Sequence, residues 1–527
     1  YDTIKESLDS YLESWRKWNI EFIESFHLIE GSLYEPSEDK RLSTIDKGLD
    51  VMLQETYEKM LRYSHDLKSP VTMLYMLGIV LPVLGLVILP MAASFLTSDT
   101  PPMKLAINIA LLYDVILPLI LFYMSKMVLS KRPTGYGAQD MSEFSREAKQ
   151  LRNIIIRVGS KLVVINPVWL TIGIMSFTIF IGIVPVLLGA IIPDEALLQE
   201  RTFAQPLGFK FLDYQKTGTG FTGPYGLGAT ILSFFIPVGL GIGLGTYYRI
   251  RSKNVLKLSE EAKSLEDEFS SALFQLGNRI GDGLPIELAV GKVSEMMAGT
   301  KSGEFFGLVS QKIVRQGMPV EQAIFDPKMG ALLEFPSPLI ESSMKVLVES
   351  SKKGPMVASS AMINVSQYIK DIHRVNERVK DLMADIISDM KQQVGVLAPA
   401  IAGIVVGITS MIINIIGRLS EQLGAISEFS GSSSAAIPSG LLNLFGSGVP
   451  TYFFQIIIGI YIVEVTLILT ILINGIENGS DKVAERFMLG SNLIKGTIIY
   501  GIIAFAITML FNIIAASIIG GIAQPAA

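Results

Sequence analysis

Two carboxylates, Asp114 and Glu464, stand inside stretches that are otherwise apolar. A charged side chain at the centre of a membrane helix costs roughly 2.5–3.5 kcal/mol on insertion scales. A residue kept there at that cost points to a role such as holding a cationic group, lining a wet path for an ion, or hydrogen bonding to a neighbouring helix. Asn108, Asn414 and Asn512 are the amides that could serve the last role. Other reactive chemistry is sparse. The chain has no cysteine, so it has no disulfide, no thiolate metal site and no cysteine nucleophile. Its three histidines, His27, His65 and His373, are too scattered for a zinc site. No Gly-x-x-x-x-Gly-Lys-Ser/Thr loop occurs, and Gly299-Thr-Lys-Ser-Gly303 has the wrong order and spacing. Zincin, calcium-loop and nucleophile-elbow motifs are missing as well. The expectation is a non-enzyme without a cofactor, whose energy for any mechanical work comes from a partner.

The elements around those carboxylates are membrane helices. Charged residues make up 18% of the 527, against about 25% in soluble domains. Half the residues are apolar, and mean hydropathy is +0.45. A net charge of −5 offers no basic face to nucleic acid. A span needs about 20 predominantly apolar residues. Seven segments qualify: Val71–Leu96, Leu105–Leu129, Pro167–Ile192, Ala229–Tyr248, Val394–Ile416, Phe453–Ile473 and Thr497–Ile519. Prolines inside them (Pro82, Pro90, Pro118, Pro185, Pro237, Pro399) are tolerated where neighbouring groups re-satisfy the freed carbonyls.

Orientation follows from positive charge in short loops. The loop between spans two and three carries Lys126, Lys131, Arg132, Arg146, Lys149, Arg152, Arg157 and Lys161, against Asp140, Glu143 and Glu147. Loops of the opposite side share only Lys104, Arg201, Lys210, Lys216 and Arg418. The N-terminus is therefore expected in the cytoplasm and the C-terminus outside. The organisation reads as a cytoplasmic helical region at 1–70, a transmembrane hairpin at 71–129 and a basic cytoplasmic loop at 130–166. Spans three and four follow at 167–248, with an outside loop of small residues. A cytoplasmic helical bundle occupies 249–393. Spans five and six cover 394–473, a cytoplasmic loop 474–496, and the last span with its outside tail 497–527. The predicted fold is all-α and polytopic.

In the region 1–70, apolar residues recur three and four apart, from Ile4 to Phe26 and from Leu42 to Leu61, predicting two amphipathic helices. The bundle carries one pattern twice: Gly283-Leu-Pro285-Ile-Glu287-Leu-Ala289 and Gly317-Met-Pro319-Val-Glu321-Gln-Ala323. Glycine ends one helix in the left-handed conformation, proline fits the first position of the next, and glutamate favours the positive end of its dipole. A long helix over about Val357–Gln393 has Val365, Ile372, Val379 and Ile386 seven apart, with Tyr368, Val375 and Leu382 between them. That row packs within its own bundle or against a second copy. It leads straight into span five, a stiff rod with Pro399 as a bend. Gly239, Gly241, Gly243 and Gly245 in span four, and Gly403 and Gly407 in span five, allow close packing within the chain or dimerisation. A repeat at an offset of 323 pairs Met60, Asp66, Lys68, Val71 and Leu74 with Met383, Asp389, Lys391, Val394 and Leu397.

The run Phe274-Gln-Leu-Gly-Asn-Arg-Ile-Gly-Asp-Gly283-Leu-Pro-Ile-Glu-Leu-Ala289, the Gly317-Met-Pro turn and a bundle feeding a span resemble the type II secretion system F domain. This family comprises inner-membrane platform proteins, and the span count and length are most similar to its archaeal archaellum and type IV pilus branch. The likeness covers roughly 259–420, and the region before Val71 is short beside it, as a truncated first copy would be. It implies a platform that couples a separate hexameric motor ATPase to insertion of pilin-like or archaellin-like subunits into a filament. Exposed basic groups are the candidate ATPase docking sites: Lys352 and Lys353; Arg374, Arg378 and Lys380; Arg146, Lys149 and Arg152. Solvation or anionic lipid headgroups would account for the same charges. A pilin-like subunit is a candidate partner for Glu464. The rival reading is a transporter or channel using Asp114 and Glu464 as an ion path.

Overall fold

A computed structural model describes Leu12, Ser14 and residues 20–96, 102–132, 154–158, 161–192, 210–217, 220–429 and 449–522. The chain is helical, with seven helices long and apolar enough to cross a membrane, the character of a multi-pass membrane protein. Helix α1 spans Ile20–Ser32 and α2 Glu38–Tyr75; a π-helical segment, Met76–Val80, then leads into α3 (Leu81–Leu96). Span two comprises α4 (Pro102–Ala110), a π-helical segment (Leu111–Ile116) and α5 (Leu117–Ser130). Span three is α6 (Pro167–Ile191); α7 (Leu227–Ser233) and α8 (Phe235–Gly281) include span four. The short helices α9 (Ile286–Met296), α10 (Lys301–Gln316), α11 (Val320–Phe325) and α12 (Pro338–Ser351) precede the long α13 (Pro355–Gln392). A third π-helical segment (Gln393–Leu397) joins α13 to α14 (Ala398–Phe429), followed by α15 (Thr451–Glu477) and α16 (Lys482–Ile522).

Among the described residues, two small antiparallel hairpins interrupt the helices. β1 (Ile154–Val158) pairs with β2 (Lys161–Ile165), Ile154 opposite Ile165, and β3 (Gln215–Thr217) pairs with β4 (Gly220–Thr222). The β-branched runs Ile-Ile-Ile-Arg-Val and Lys-Leu-Val-Val-Ile account for the first, since such residues suit a strand better than a helix. The expected outside loop before span four is packed rather than a bare connector. Gly226 N–H donates to Leu212 O at 2.9 Å, and a Cβ on Gly226 would run into Phe211 O.

The chain divides into two compact units. The first comprises Tyr1–Leu67, Lys131–Arg146 and Lys257–Asp385. Its core gathers Leu265, Phe269, Leu273, Leu276, Phe305, Phe306, Ile340, Met344 and Met362, all at most 2% exposed. Phe269 stacks on Phe306 at 5.8 Å, with Phe305 edge-on to both. Gly283 and Gly317 take φ of +91° and +65°, the conformation that ends α8 and α10. The prolines sit one position earlier than expected. Pro285 and Pro319 are the cap residues, extended at ψ 146° and 151°, and their carbonyls accept the first helical bond from Ala289 and Ala323 at 2.9 Å. Glu287 and Glu321 fall in the first turns.

The packed face of α13 follows the heptad row only in part: Val379 is buried and Val365 packs against the core. Its most buried residues are Ala358, Met362, Ser366 and Ile369, while Ile372 and Val375 are half-buried. Small polar residues set this seam. Ser359 Oγ donates to Gly277 O at 2.7 Å and Ser366 Oγ to Ser270 O at 2.6 Å, pairs seven apart on both helices. A Cβ on Gly277 would lie 2.9 Å from Ile363 Cγ1 and 3.0 Å from Ser359 O. Gly277→Leu is therefore expected to destabilise the unit by about 1–3 kcal/mol, read as a lowered midpoint in thermal unfolding.

The second unit comprises Lys68–Ser130, Glu147–Leu256 and Ile386–Ala527. Its glycines pack within the chain. Gly239 and Gly243 face Thr178 and Met175 of span three so closely that a Cβ on either would collide with the facing side chain. Gly241 and Gly245 face Thr497 and Ile494 of span seven in the same way. Gly403 and Gly407 meet the backbone of α16 at Ala504 and Thr508.

The internal repeat has a different register from the one read in sequence. Both α2 and α13 have 38 residues, and each is followed by a five-residue π segment and a proline. Every boundary shifts by 317 positions (38 to 355, 75 to 392, 76 to 393, 82 to 399), not 323. Gly78 and Gly395 correspond at this offset. Scattered identities favour the wrong alignment, whereas Gly-x-x-x-Pro is the part with a structural consequence. Proline removes an N–H and crowds the carbonyl four residues back, and widening the turn relieves the crowding.

Candidate functional site

The intramembrane carboxylates come together across spans two and six. The π segment Leu111–Ile116 carries Tyr113 and Asp114, and Leu117 N–H closes it on Leu112 O just before Pro118. On α15, Tyr461 and Glu464 are three apart and so share a face. The rings of Tyr113 and Tyr461 meet edge-on at 5.8 Å. Tyr461 Oη donates to Gly78 O at 2.5 Å, and Tyr113 Oη donates to Pro82 O at 3.2 Å. The Gly78 carbonyl is the one that Pro82, lacking an N–H, leaves without its helical donor.

Asp114 and Glu464 lie near one another, and both lie near Tyr461. Asp114 Oδ1 and Glu464 Oε2 are buried without a hydrogen-bond partner among the described residues. The amides proposed as their partners are engaged elsewhere or exposed. Asn414 Nδ2 donates to Asn512 Oδ1, Asn512 Nδ2 donates to Ser410 Oγ at 3.1 Å, and Asn108 is exposed. Two carboxylates with spare acceptor capacity suit a cationic group or a shared proton. Their tyrosine neighbours were missed in sequence; Tyr113-Asp114 and Tyr461-x-x-Glu464, beside Pro82, were the available signal.

The basic residues do not form one cluster. Lys352 and Lys353 are exposed at the end of α12, beside Gly354 at φ +115°. Lys352 Nζ pairs with Glu349 at 2.7 Å. Arg374 and Arg378 are exposed on α13 about 30 Å further along its axis at 1.5 Å per residue, and Arg374 pairs with Asp371 at 3.2 Å. Lys380 is exposed as well and lies near Lys263 of α8; partial burial, then that second ammonium, holds it below the usual lysine value. Arg146, Lys149 and Arg152 lie outside the described residues.

The α8–α13 face holds a group that the sequence did not reveal. Ser337 caps α12 and donates to Glu266 Oε1 at 2.5 Å, while His373 lies 3.6 Å from Asp267. Burial raises the Glu266 carboxyl above its ordinary value, against the opposing hydrogen bond from Ser337. The folded chain thus holds that proton more tightly than the unfolded chain. The resulting stability is full below the unfolded carboxyl value and fades as pH rises through the folded one. Glu266→Gln keeps an acceptor for Ser337 without the titration. The melting temperature of the variant is expected to gain on the parent as pH rises from 4 to 7; a constant difference would contradict this.

Compared with known protein families, curated proteins and solved structures, the chain matches none.

Proposed function

We propose that this chain is the membrane platform of a filament-assembly or secretion machine of the archaellum and type IV pilus kind. A cytoplasmic hexameric ATPase supplies the stroke, and the chain passes it to pilin-like subunits entering the filament. The observation that carries this reading is the repeated unit of a 38-residue helix, a π segment and an apolar helix. Two such rods leading into spans suit the relay of force. The resemblance of residues 274–289 to the F domain supports the same reading, as do the loop charges that favour a cytoplasmic bundle.

Co-purification with a filament-type ATPase tests it. Capture is expected, and Lys352→Glu with Lys353→Glu is expected to reduce it at least tenfold if that turn is the dock. Undiminished capture by the double variant clears the turn, and no capture by the parent chain removes the platform reading. The unpartnered carboxylates favour a second reading, a transporter or channel. Ion flux through the purified chain in proteoliposomes, lost in Asp114→Asn, would establish it instead.

A further inference from the structure

The β1–β2 hairpin has no polar face. Of its ten paired residues only Arg157 and Lys161 are not apolar. The register sets Arg157 opposite Leu162 and Val158 opposite Lys161, so the two basic residues fall on different faces. A hairpin with one face in water alternates apolar and polar residues, and this one does not. Its sheet has two strands, so each strand also has an edge unpaired by another strand. Two strands alone are marginal in water and need a third strand or an apolar surface to be stable.

The place of the hairpin in the chain identifies that surface. Asn166 alone separates β2 from span three, and its Oδ1 accepts from Val168 N–H at 3.1 Å, the cap that fixes where the span begins. Trp169, in the first turn, is 73% exposed and lies on the same side of the helix as the exposed Phe177 and Phe180. Tryptophan is enriched where a span meets the headgroups. β2 therefore ends at headgroup level, and its five residues reach about 17 Å from there. The strands contain no acid, and Arg157 and Lys161 stand near the joined end of the hairpin, which complements an anionic lipid surface.

We propose that the β1–β2 hairpin is a membrane-surface anchor, lying in the headgroup layer where span three begins and held there by apolar contact and by anionic phospholipid. That layer supplies apolar surface, which water lacks, and partners for the strand edges, which hydrocarbon lacks. Span three has a use for such an anchor. Its apolar stretch is the least buried of the seven, and a span with little protein packing takes its tilt and depth from interfacial anchors. The hairpin and span three belong to the same compact unit, and the proposal stands whether or not the platform reading does.

The cysteine-free chain permits a direct test with single spin labels at Ile156→Cys or Val163→Cys. The labelled chain is placed in vesicles of phosphatidylcholine with one-quarter phosphatidylglycerol. Collisions are measured with oxygen, which concentrates in the bilayer, and with a neutral nickel chelate, which stays in water. Both labels are expected to meet oxygen more often than nickel, by a smaller margin than a label at Phe177→Cys within span three. Omitting phosphatidylglycerol, or introducing Arg157→Gln with Lys161→Gln, should shift both labels toward nickel, each basic residue being worth about fivefold in occupancy at an anionic surface. The Phe177→Cys label, unchanged in the double variant, shows that span three is still inserted. Labels that meet mainly nickel in the parent chain would put the hairpin in water, and labels that meet neither reagent would put it against protein; either result overturns the proposal. A preference for oxygen that ignores both changes of charge overturns the anionic-lipid part.

Discussion

Gly407→Leu is expected to prevent spans five and seven from closing. A Cβ at Gly407 would run into Ile507 Cγ2 and lie 2.9 Å from Thr508 N, and one at Gly403 would lie 2.9 Å from Ala504 N. The last two contacts are with backbone, which cannot move aside as a long side chain does. Overpacking typically costs 1–3 kcal/mol, and here about 3 kcal/mol or more is expected. Separation of the helices also strips Asn512 of its partners on span five, Ser410 and Asn414. In a membrane interior such groups find no water to replace them. The measurement is the fraction of detergent-solubilised protein that stays monodisperse after heating. A variant that melts within about 2 °C of the parent would show that the two backbones are not so close.

The second large effect runs the other way. Asp114→Leu replaces a partly buried carboxylate, one oxygen of which has no partner among the described residues. On insertion scales the exchange favours leucine by about 3–4 kcal/mol at a helix centre, an upper bound for a half-buried group. The variant is expected to melt several degrees higher than the parent. On the platform reading proposed above, Glu464→Gln, which removes one of two neighbouring like charges, is expected to abolish filament assembly. A more stable but inactive pair of variants is the signature of residues kept for function at a cost in stability. A destabilised Asp114→Leu would mean that the carboxylate holds the bundle together, and normal filaments with Glu464→Gln would free that residue of any role in assembly.

Different features were legible in the sequence for different physical reasons. The spans were visible because a bilayer demands long apolar runs, and each of the seven expected segments overlaps one of the helices that meet that demand. Gly283 and Gly317 were visible because only glycine occupies positive φ without strain. Asp114 and Glu464 stood out because a charge in an apolar run is conspicuous. Their tyrosines did not, since the meeting of Tyr113 with Tyr461 depends on how two distant spans pack and leaves no local period. The seam of α13 was hidden for a related reason. Its contacts run through serine and glycine, which a search for apolar heptads passes over, and so Ile372 was favoured over Ser366. The basic clusters looked alike on paper because net charge says nothing of separation along a rigid helix.

The two-sided glycine row of span four has a consequence for biosynthesis. One side, Gly239 and Gly243, is covered by span three, already made when span four leaves the ribosome. The other side, Gly241 and Gly245, awaits Ile494 and Thr497, about 250 residues downstream. At roughly 5–20 residues per second, that wait is on the order of 12–50 s. For that interval the nascent chain holds a half-zipped bundle, and lipid or an insertion chaperone must shelter the bare glycine face until the last helix arrives.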